Sequence, residues 1–351
     1  SCSWAVSIAE YVRTTGDTAF GHRMLPHIRR HIDYERRFAD ANGLLYETPG
    51  RRFLSWADGD PRPPYAPGET WRKRTRTSWG DFFDPPTRGW NAIINAYWLW
   101  CLRECADLAR ALGSDDAARE WSAMYDHARS AFDGMFFVSD PKLWRDNVAF
   151  DAAGRQNEPT YCESTIFTII RTGLLDRERG LEAIDRLMNP TFLCCRTSGG
   201  LEGSAYPKFF MDIGETDVAL EYWLDRWGAP IAADATTCGE EFFQSAGNSD
   251  CHIHGAGPAR DFIEHLAGIR IRGARWSDVL LVPPTDGALL PDLRATVPTP
   301  HGRIEVTIET VADGARQYRW ALPDGACAKL LLRDEEISIE TTGSVPLPEQ
   351  P

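Results

Sequence analysis

Residues 110–116 read "RALGSDD", and three other stretches repeat the same grammar: "RTTGD" at 13–17, "RTGLLD" at 171–176 and "DIGETD" at 212–217. In each, a glycine follows an apolar run of helical period, and an Asp or Ser stands where the next helix opens. Glycine enters the left-handed conformation that closes a helix at little cost. A short oxygen-bearing side chain then accepts orphan N–H groups of the following first turn. Four such junctions predict antiparallel helix hairpins repeated along the chain. Working outward from them, the apolar period predicts helices over 3–15, 19–39, 88–112, 115–134, 159–173, 176–188, 205–213, 216–228 and 257–268. There are no heptads and no strict repeat length, which favours paired helices closing into an (α/α) toroid over a solenoid.

From about residue 276 the period changes. "WSDVLLVPP", "RIEVTIETV", "RQYRWALP", "AKLLLRD" and "EISIETT" run or alternate apolar over short stretches between turn signals, as strands of a small antiparallel β-sandwich do. The expected layout is a helical domain over 1–272, a sandwich over 273–343 and a loose tail, "GSVPLPEQP", ending at 351. Two long segments interrupt the helices, 40–87 and 229–256. Their density of Trp and Phe argues against disorder and for function.

Composition narrows the function. At 351 residues the chain is long for a single core, in keeping with one large and one smaller domain. Thirteen Trp are many for this length, and flat amphipathic rings suit stacking on sugar faces. The net charge of -13 argues against nucleic acid, whose affinity rests on clustered Lys and Arg. Nine Cys, odd in number and without paired CxxC motifs, read as reduced thiols, which favours the cytoplasm. The densest metal-ligand cluster in sequence, Cys251-His252-Ile253-His254, is too small alone for zinc, so neither metal nor cofactor is expected. No apolar run reaches the ~18 residues of a membrane span, and no membrane partner is expected. The opening residues lack the pattern of a signal peptide and read as a helix already under way, so the chain is expected to begin inside a longer protein.

The residues able to carry chemistry cluster in the long loops. "AADATTCGEEFF" at 232–243 places Glu240 and Glu241 between a turn and an aromatic run. Burying an unpaired carboxylate is costly, and the commoner fate of such a pair is a solvated helix start. The alternative is catalysis: glycoside hydrolysis needs two carboxylates, and adjacent side chains diverge, so at most one of these faces a given sugar. "SDCHIHGAGPARDFIEHLAGIRI" at 249–271 could bring His252 near that acidic loop, although a loop His more often satisfies backbone groups. In "RRFLSWADGD", Trp56 with Asp58 and Asp60 reads equally as an aromatic floor with a polar rim or as a packed Trp beside solvated turn acids. Trp79 and Trp90 give weaker versions of the same signal. Glu163 opens an apolar helix, where capping is the preferred reading.

Taken in order, "EYVRTTGDTAFGHRMLPHIRRHIDY", "DANGLLYETPGRRFLSWAD", "DATTCGEEF", "SDCHIHGAGPARDFIEHLAGI" and "VLLVPPTDGALLPDLRATVPTPHGRIEV" resemble bacterial α-L-rhamnosidases of glycoside hydrolase family 78, over nearly the whole chain. The resemblance implies a six-hairpin (α/α) barrel, here without its first hairpin, followed by a small β-sandwich, and hydrolysis with inversion. It carries the general base onto Glu240, not Glu241, and a sugar-contacting imidazole onto His252. It carries a wall of the sugar site onto Trp56, though Ser55 stands where an Asp usually precedes it. Trp4 and Trp79 would complete the hydrophobic walls. Cys238-Gly239 replaces a bulkier pair, and His254 stands where Trp is common.

The stretch that holds the family's general acid has no counterpart here. A positioned proton donor contributes roughly 10²- to 10⁴-fold, so the chain is expected to be either a fragment of a larger hydrolase or a degenerate member whose acid comes from elsewhere, Asp58 being a distant candidate. The function expected from the resemblance is inverting removal of terminal α-L-rhamnose or a related 6-deoxy sugar, with a carbohydrate as partner and a homo-oligomer left open. The alternatives are a non-catalytic carbohydrate-binding protein on the same fold, or another (α/α) hydrolase acting on glucuronyl or glucosyl units.

Overall fold

The glycine stop is realised at all four junctions, where Gly16, Gly113, Gly173 and Gly214 take φ of 68, 71, 71 and 88°. At Gly113 a Cβ would meet nothing within 4 Å, so the left-handed backbone alone calls for glycine. The computed structural model describes residues 2–48, 89–188, 192, 205–232, 234–239, 251–273, 276–312, 314–332 and 335–348. The chain divides into two units: Ser1–Val12 with Asp17–Ala205, and Arg13–Gly16 with Tyr206–Pro351. No described helix is long and apolar enough to cross a membrane.

The first unit is built on helices α1 (Cys2–Thr15), α2 (Thr18–Arg36), α3 (Ala92–Ala111), α4 (Asp115–Phe136), α5 (Glu163–Arg171) and α6 (Arg177–Met188). The Asp17 carboxylate caps α2 by accepting the Phe20 N–H at 2.8 Å, and Asp176 does the same for Arg179 of α6 at 2.9 Å. Ser114 makes no side-chain cap, and Asp115 and Asp116 in the first turn of α4 meet the helix dipole instead. Helix α3 starts at 92 rather than 88, because Trp90–Asn91 forms a short strand, β1, paired with β4 (Asn147–Val148), and Asn91 caps the helix through Ile94. A second ribbon joins β2 (Phe137–Val138) to β3 (Leu143–Trp144).

Two apolar clusters hold these helices. One gathers Trp98, Leu102 and Leu108 of α3, Trp121 of α4, Ile28 and Ile32 of α2, and Val6 and Ile8 of α1. The other gathers Leu99, Phe132, Phe136, Trp144 and Ile169. Trp98 and Trp121 are fully buried, and truncating either to Ala costs about 3–5 kcal/mol. Asn95 is buried beside them for a polar reason: its side chain bonds both the N–H and the carbonyl of Leu45, at 2.7 and 3.1 Å, and so ties the turn after α2 to α3.

The second unit contains α7 (Ala205–Asp212) and α8 (Thr216–Ala232), which runs past its expected end at 228 with Trp223 and Trp227 buried along it. The helix expected over 257–268 is α-helical only through α9 (Gly257–Asp261). It then widens to a π turn, Phe262–Leu266, closed by the Ala267 N–H on the Phe262 carbonyl at 2.7 Å.

Beyond it lie two four-stranded sheets. One has the order β11-β10-β6-β5 and the other β12-β9-β8-β7. Their strands are β5 (Ile269–Ile271), β6 (Asp278–Leu281), β7 (Leu293–Thr299), β8 (Gly302–Thr310), β9 (Arg316–Ala321), β10 (Cys327–Leu332), β11 (Glu335–Ser338) and β12 (Thr342–Pro346). On β8, Ile304, Val306 and Ile308 are buried while the residues between them are not, the period of a sheet with one covered face.

Two expectations are corrected here. The sheets are not wholly antiparallel, because β6 and β10 pair in parallel, the long connection between them having carried the chain through the other sheet. The tail is also not loose as far as Pro346, because β12 pairs with β9. Its Pro and Gly hid the strand. β12 is an edge strand, where Pro is tolerated, and a Cβ on Gly343 would lie 2.3 Å from the Trp320 ring, so the glycine is a seat for that indole.

Candidate active site

The loop leading to the acidic pair is fixed by the turn that carries His252. After α8 the chain turns through Asp234, at φ 56°, and the residues up to Gly239 lie against the 3-10 turn Ile253–Ala256. The His252 N–H donates to the Cys238 carbonyl at 2.8 Å, and the Gly255 N–H closes back on the His252 carbonyl at 3.0 Å. A Cβ on Gly255 would sit 2.2 Å from the Gly239 carbonyl oxygen and 3.1 Å from Cys238 Cβ, so only glycine permits this approach. From the other side, the buried Trp227 of α8 donates its indole N–H to the Gly255 carbonyl at 2.7 Å. Trp227 of α8, the Cys238–Gly239 backbone and the His252–Gly255 turn thus form a three-part clamp. His252 itself is half-buried.

Below the turn, α9 and the π turn carry charges of unusual burial. Asp261 is fully buried, with Arg260 at 3.2 Å, and burial raises its carboxyl above the ordinary value despite the opposing pull of Arg260. Asp212, at the end of α7, receives Arg270 at 2.8 Å, Lys208 at 2.8 Å and His265 at 3.4 Å. Burial would raise its carboxyl, but the hydrogen bond with His265 and the charges of Lys208 and Arg270 outweigh it and hold the group well below the carboxylate range. This network locks the segment that follows His252 to α7 and β5.

The remaining expected site residues divide as follows. Glu240, Trp56, Asp58 and Trp79 lie outside the described residues. Trp4 belongs to the first unit, on α1, where it is 41% exposed and meets the His31 ring edge-on at 6.2 Å. Trp90 has a structural post: its indole N–H donates to Asp40 at 2.9 Å and its ring packs on Tyr46 at 4.5 Å. Glu163 stands in the first turn of α5 as a capping residue would, yet it is only 4% exposed.

Residues that sequence reasoning passed over are Trp227, Gly255, Asp212, Asp261, His265 and Arg270. In "ARDFIEHL" the charged residues give no sign of their burial in sequence, because the segment leaves the α-helical period at Phe262. In the first unit, Asp146 is likewise fully buried, accepts a hydrogen bond from Thr165 at 2.6 Å, and is pushed up to about 6 by burial. The neighbouring Arg145 bonds the carbonyls of Asn147 and Asn157 at 2.8 and 2.6 Å, so this cluster is a structural knot between strand β4 and helix α5.

Solved structures similar to this chain include several rhamnosidases. A family 78 rhamnosidase from Bacillus sp. GL1 superposes with a TM-score of 0.76 at 22% identity, over 94% of this chain and 33% of that one. The α-L-rhamnosidase of Streptomyces avermitilis, solved with L-rhamnose, gives 0.66 at 19% identity over 96% and 31%. That of Aspergillus terreus gives 0.71 at 14% identity over 98% and 38%. Among curated proteins, the N,N'-diacetylchitobiose phosphorylase of Vibrio proteolyticus is 21% identical over 201 residues, 52% of this chain and 21% of that protein. The chain therefore spans about a third of the length of the rhamnosidase structures and a fifth of the phosphorylase. Residues 1–266 match the family described as the bacterial alpha-L-rhamnosidase 6 hairpin glycosidase domain, and the chain belongs to that family.

Proposed function

We propose that the chain supplies the base side of an inverting glycosidase site for terminal α-L-rhamnose or a related 6-deoxy sugar. The helix hairpins up to residue 272 would close as an (α/α) ring carrying this site, with the sheets after 273 packed as a small sandwich. Glu240 would deprotonate the attacking water, and His252 would hold ring hydroxyls. Trp4, Trp56 and Trp79 would wall the methyl and ring face, with Asp58 at the rim. The observation that carries this reading is the bond from His252 to Cys238, together with the close approach of Gly255 to Gly239. A backbone pinned one residue before Glu240 is the rigid seat that a general base needs, since catalysis depends on holding the reacting groups in place.

The test compares the chain with its Glu240→Gln variant in two assays, calorimetric titration with L-rhamnose and hydrolysis of an aryl α-L-rhamnoside. Loss of the base lowers turnover by roughly 10²- to 10⁴-fold while rhamnose affinity changes little, and NMR of the first-formed sugar shows the inverted anomer. Equal turnover in both proteins removes Glu240 from the mechanism. Rhamnose binding without turnover in either supports the carbohydrate-binding alternative. Turnover that depends on added inorganic phosphate points to phosphorolysis, the reaction class named for the Vibrio relative.

A further inference from the structure

Three residues far apart in sequence, Cys2 at the start of α1, His31 on α2 and Cys101 on α3, bring their ligand atoms within 4.8 Å of one another. The thiol of Cys105, one turn further along α3, lies 3.9 Å from that of Cys101. Cys101 and Cys105 are fully buried, in the apolar cluster that joins the first three helices. The imidazole is oriented: its Nδ1 faces Glu35 at 3.8 Å, and its Nε2 is buried with no hydrogen-bond partner. A buried ring nitrogen without a full hydrogen bond has a cost of about 1–3 kcal/mol.

We propose that Cys2, His31 and Cys101, with Cys105 as a further thiol in reach, form a binding site for a zinc ion that fastens α1, α2 and α3 together. The donor set is the argument. Three thiolates with one neutral imidazole is a set that a structural zinc takes, so Cys105 supplies the fourth ligand, and a carboxylate behind the ring is the usual partner that fixes its tautomer. The size also fits. Tetrahedral zinc with bonds of about 2.3 Å to sulfur and 2.0 Å to nitrogen holds its donors ~3.5 to 3.8 Å apart. The Cys101–Cys105 spacing of 3.9 Å is already close to that, and Cys2, His31 and Cys101, within 4.8 Å of one another, need to draw in by at most about 1.3 Å. Binding releases one proton for each thiol that ligates the cation, three in all, so no redox partner is required. No sequence pattern announces the site, because each helix supplies its ligands separately. Cys101 and Cys105 are four apart on one helix, a spacing that leaves both thiols on one face.

The test uses the whole 351-residue chain, reduced and stripped with chelator, and titrates it with cobalt(II) and then zinc. The expected result is one equivalent of cobalt with a thiolate-to-metal charge-transfer band, displaced by zinc, and a higher melting temperature with zinc present. Zinc should also protect the half-buried Cys2 of the unmodified chain from alkylation, a readout that needs no variant. His31→Ala should weaken binding at least tenfold, and Cys2→Ala, at the half-buried first turn of α1, should abolish the band. Cys251→Ala removes the exposed thiol beside the other histidines and should change neither. The proposal is overturned if cobalt uptake shows no thiolate band, or if Cys2 is alkylated at the same rate with zinc. It is equally overturned if Cys2 and Cys101 instead form a disulfide that accounts for the loss of free thiol without any ion.

Discussion

The N–H of His252 and the carbonyl of Cys238 meet at 2.8 Å, so that a turn from one end of the long loop fixes the backbone at its other end. The masking residue in that contact is Gly255, whose missing side chain leaves room for the Gly239 carbonyl. Gly255→Ala therefore forces the two loops apart. It is expected to cost about 1–3 kcal/mol in stability and, if the acidic loop carries the base, ~10²-fold in rhamnoside turnover, because small displacements of a catalytic group are expensive. A thermal melt and an aryl-rhamnoside assay on the same preparation check both. Turnover equal to that of the unsubstituted chain would show that the clamp has no part in positioning Glu240.

Asp212 gives a prediction about acid. Its carboxyl is held well below the usual range by His265, Lys208 and Arg270. The sign follows from proton counting: as pH falls below about 4, the unfolded chain takes up a proton at this position before the folded chain does. The stabilisation is thus fully present at neutral pH and lost as pH falls toward the folded value. Asp212→Asn should lower the urea midpoint at pH ~7 and make progressively less difference below about pH 4. A difference between the two proteins that is unchanged across that window would mean that the carboxylate is not held by these partners.

How much of this was legible beforehand follows from how far apart the interacting residues are. The hairpins were readable because each junction is local: Gly113 closes α3 and the acids at 115 and 116 open α4 within one short stretch. The strands were readable where alternation is clean, as at Ile304, Val306 and Ile308, and lost where Pro346 and Gly343 broke the pattern of β12 for reasons that only the Trp320 ring explains. Around the candidate site, the motif at His252 could be named, but not that Trp227 bonds the Gly255 carbonyl beside it, since a hydrogen bond from an indole to a distant carbonyl leaves no periodic trace. The same holds for Asp212 and His265, and for the thiols of α1 and α3. Long-range polar contacts are decided by the packing of the apolar faces, and the periodicity shows those faces but not their partners.

Asp146 is expected to behave in the sense opposite to Asp212. It is fully buried, the hydrogen bond from Thr165 only partly offsets the loss of water, and its carboxyl is pushed up to about 6. A folded value above the unfolded one of ~3.9 means that the native chain keeps a proton that the unfolded chain has already released. The contribution of this group to stability is therefore greatest below about pH 4 and declines as pH rises from there toward 6, by an amount of order 2–3 kcal/mol. Asp146→Asn retains an oxygen to accept the Thr165 hydroxyl but cannot ionise. Comparing urea midpoints of the two proteins between about pH 4 and 7 isolates the effect, because every other carboxylate titrates in both. The variant should gain relative to the unsubstituted chain as pH rises through that interval, whatever constant offset the amide introduces. A flat difference would show that the Asp146 carboxyl ionises at its ordinary pH inside the fold, and that the knot between β4 and α5 is charged at neutral pH.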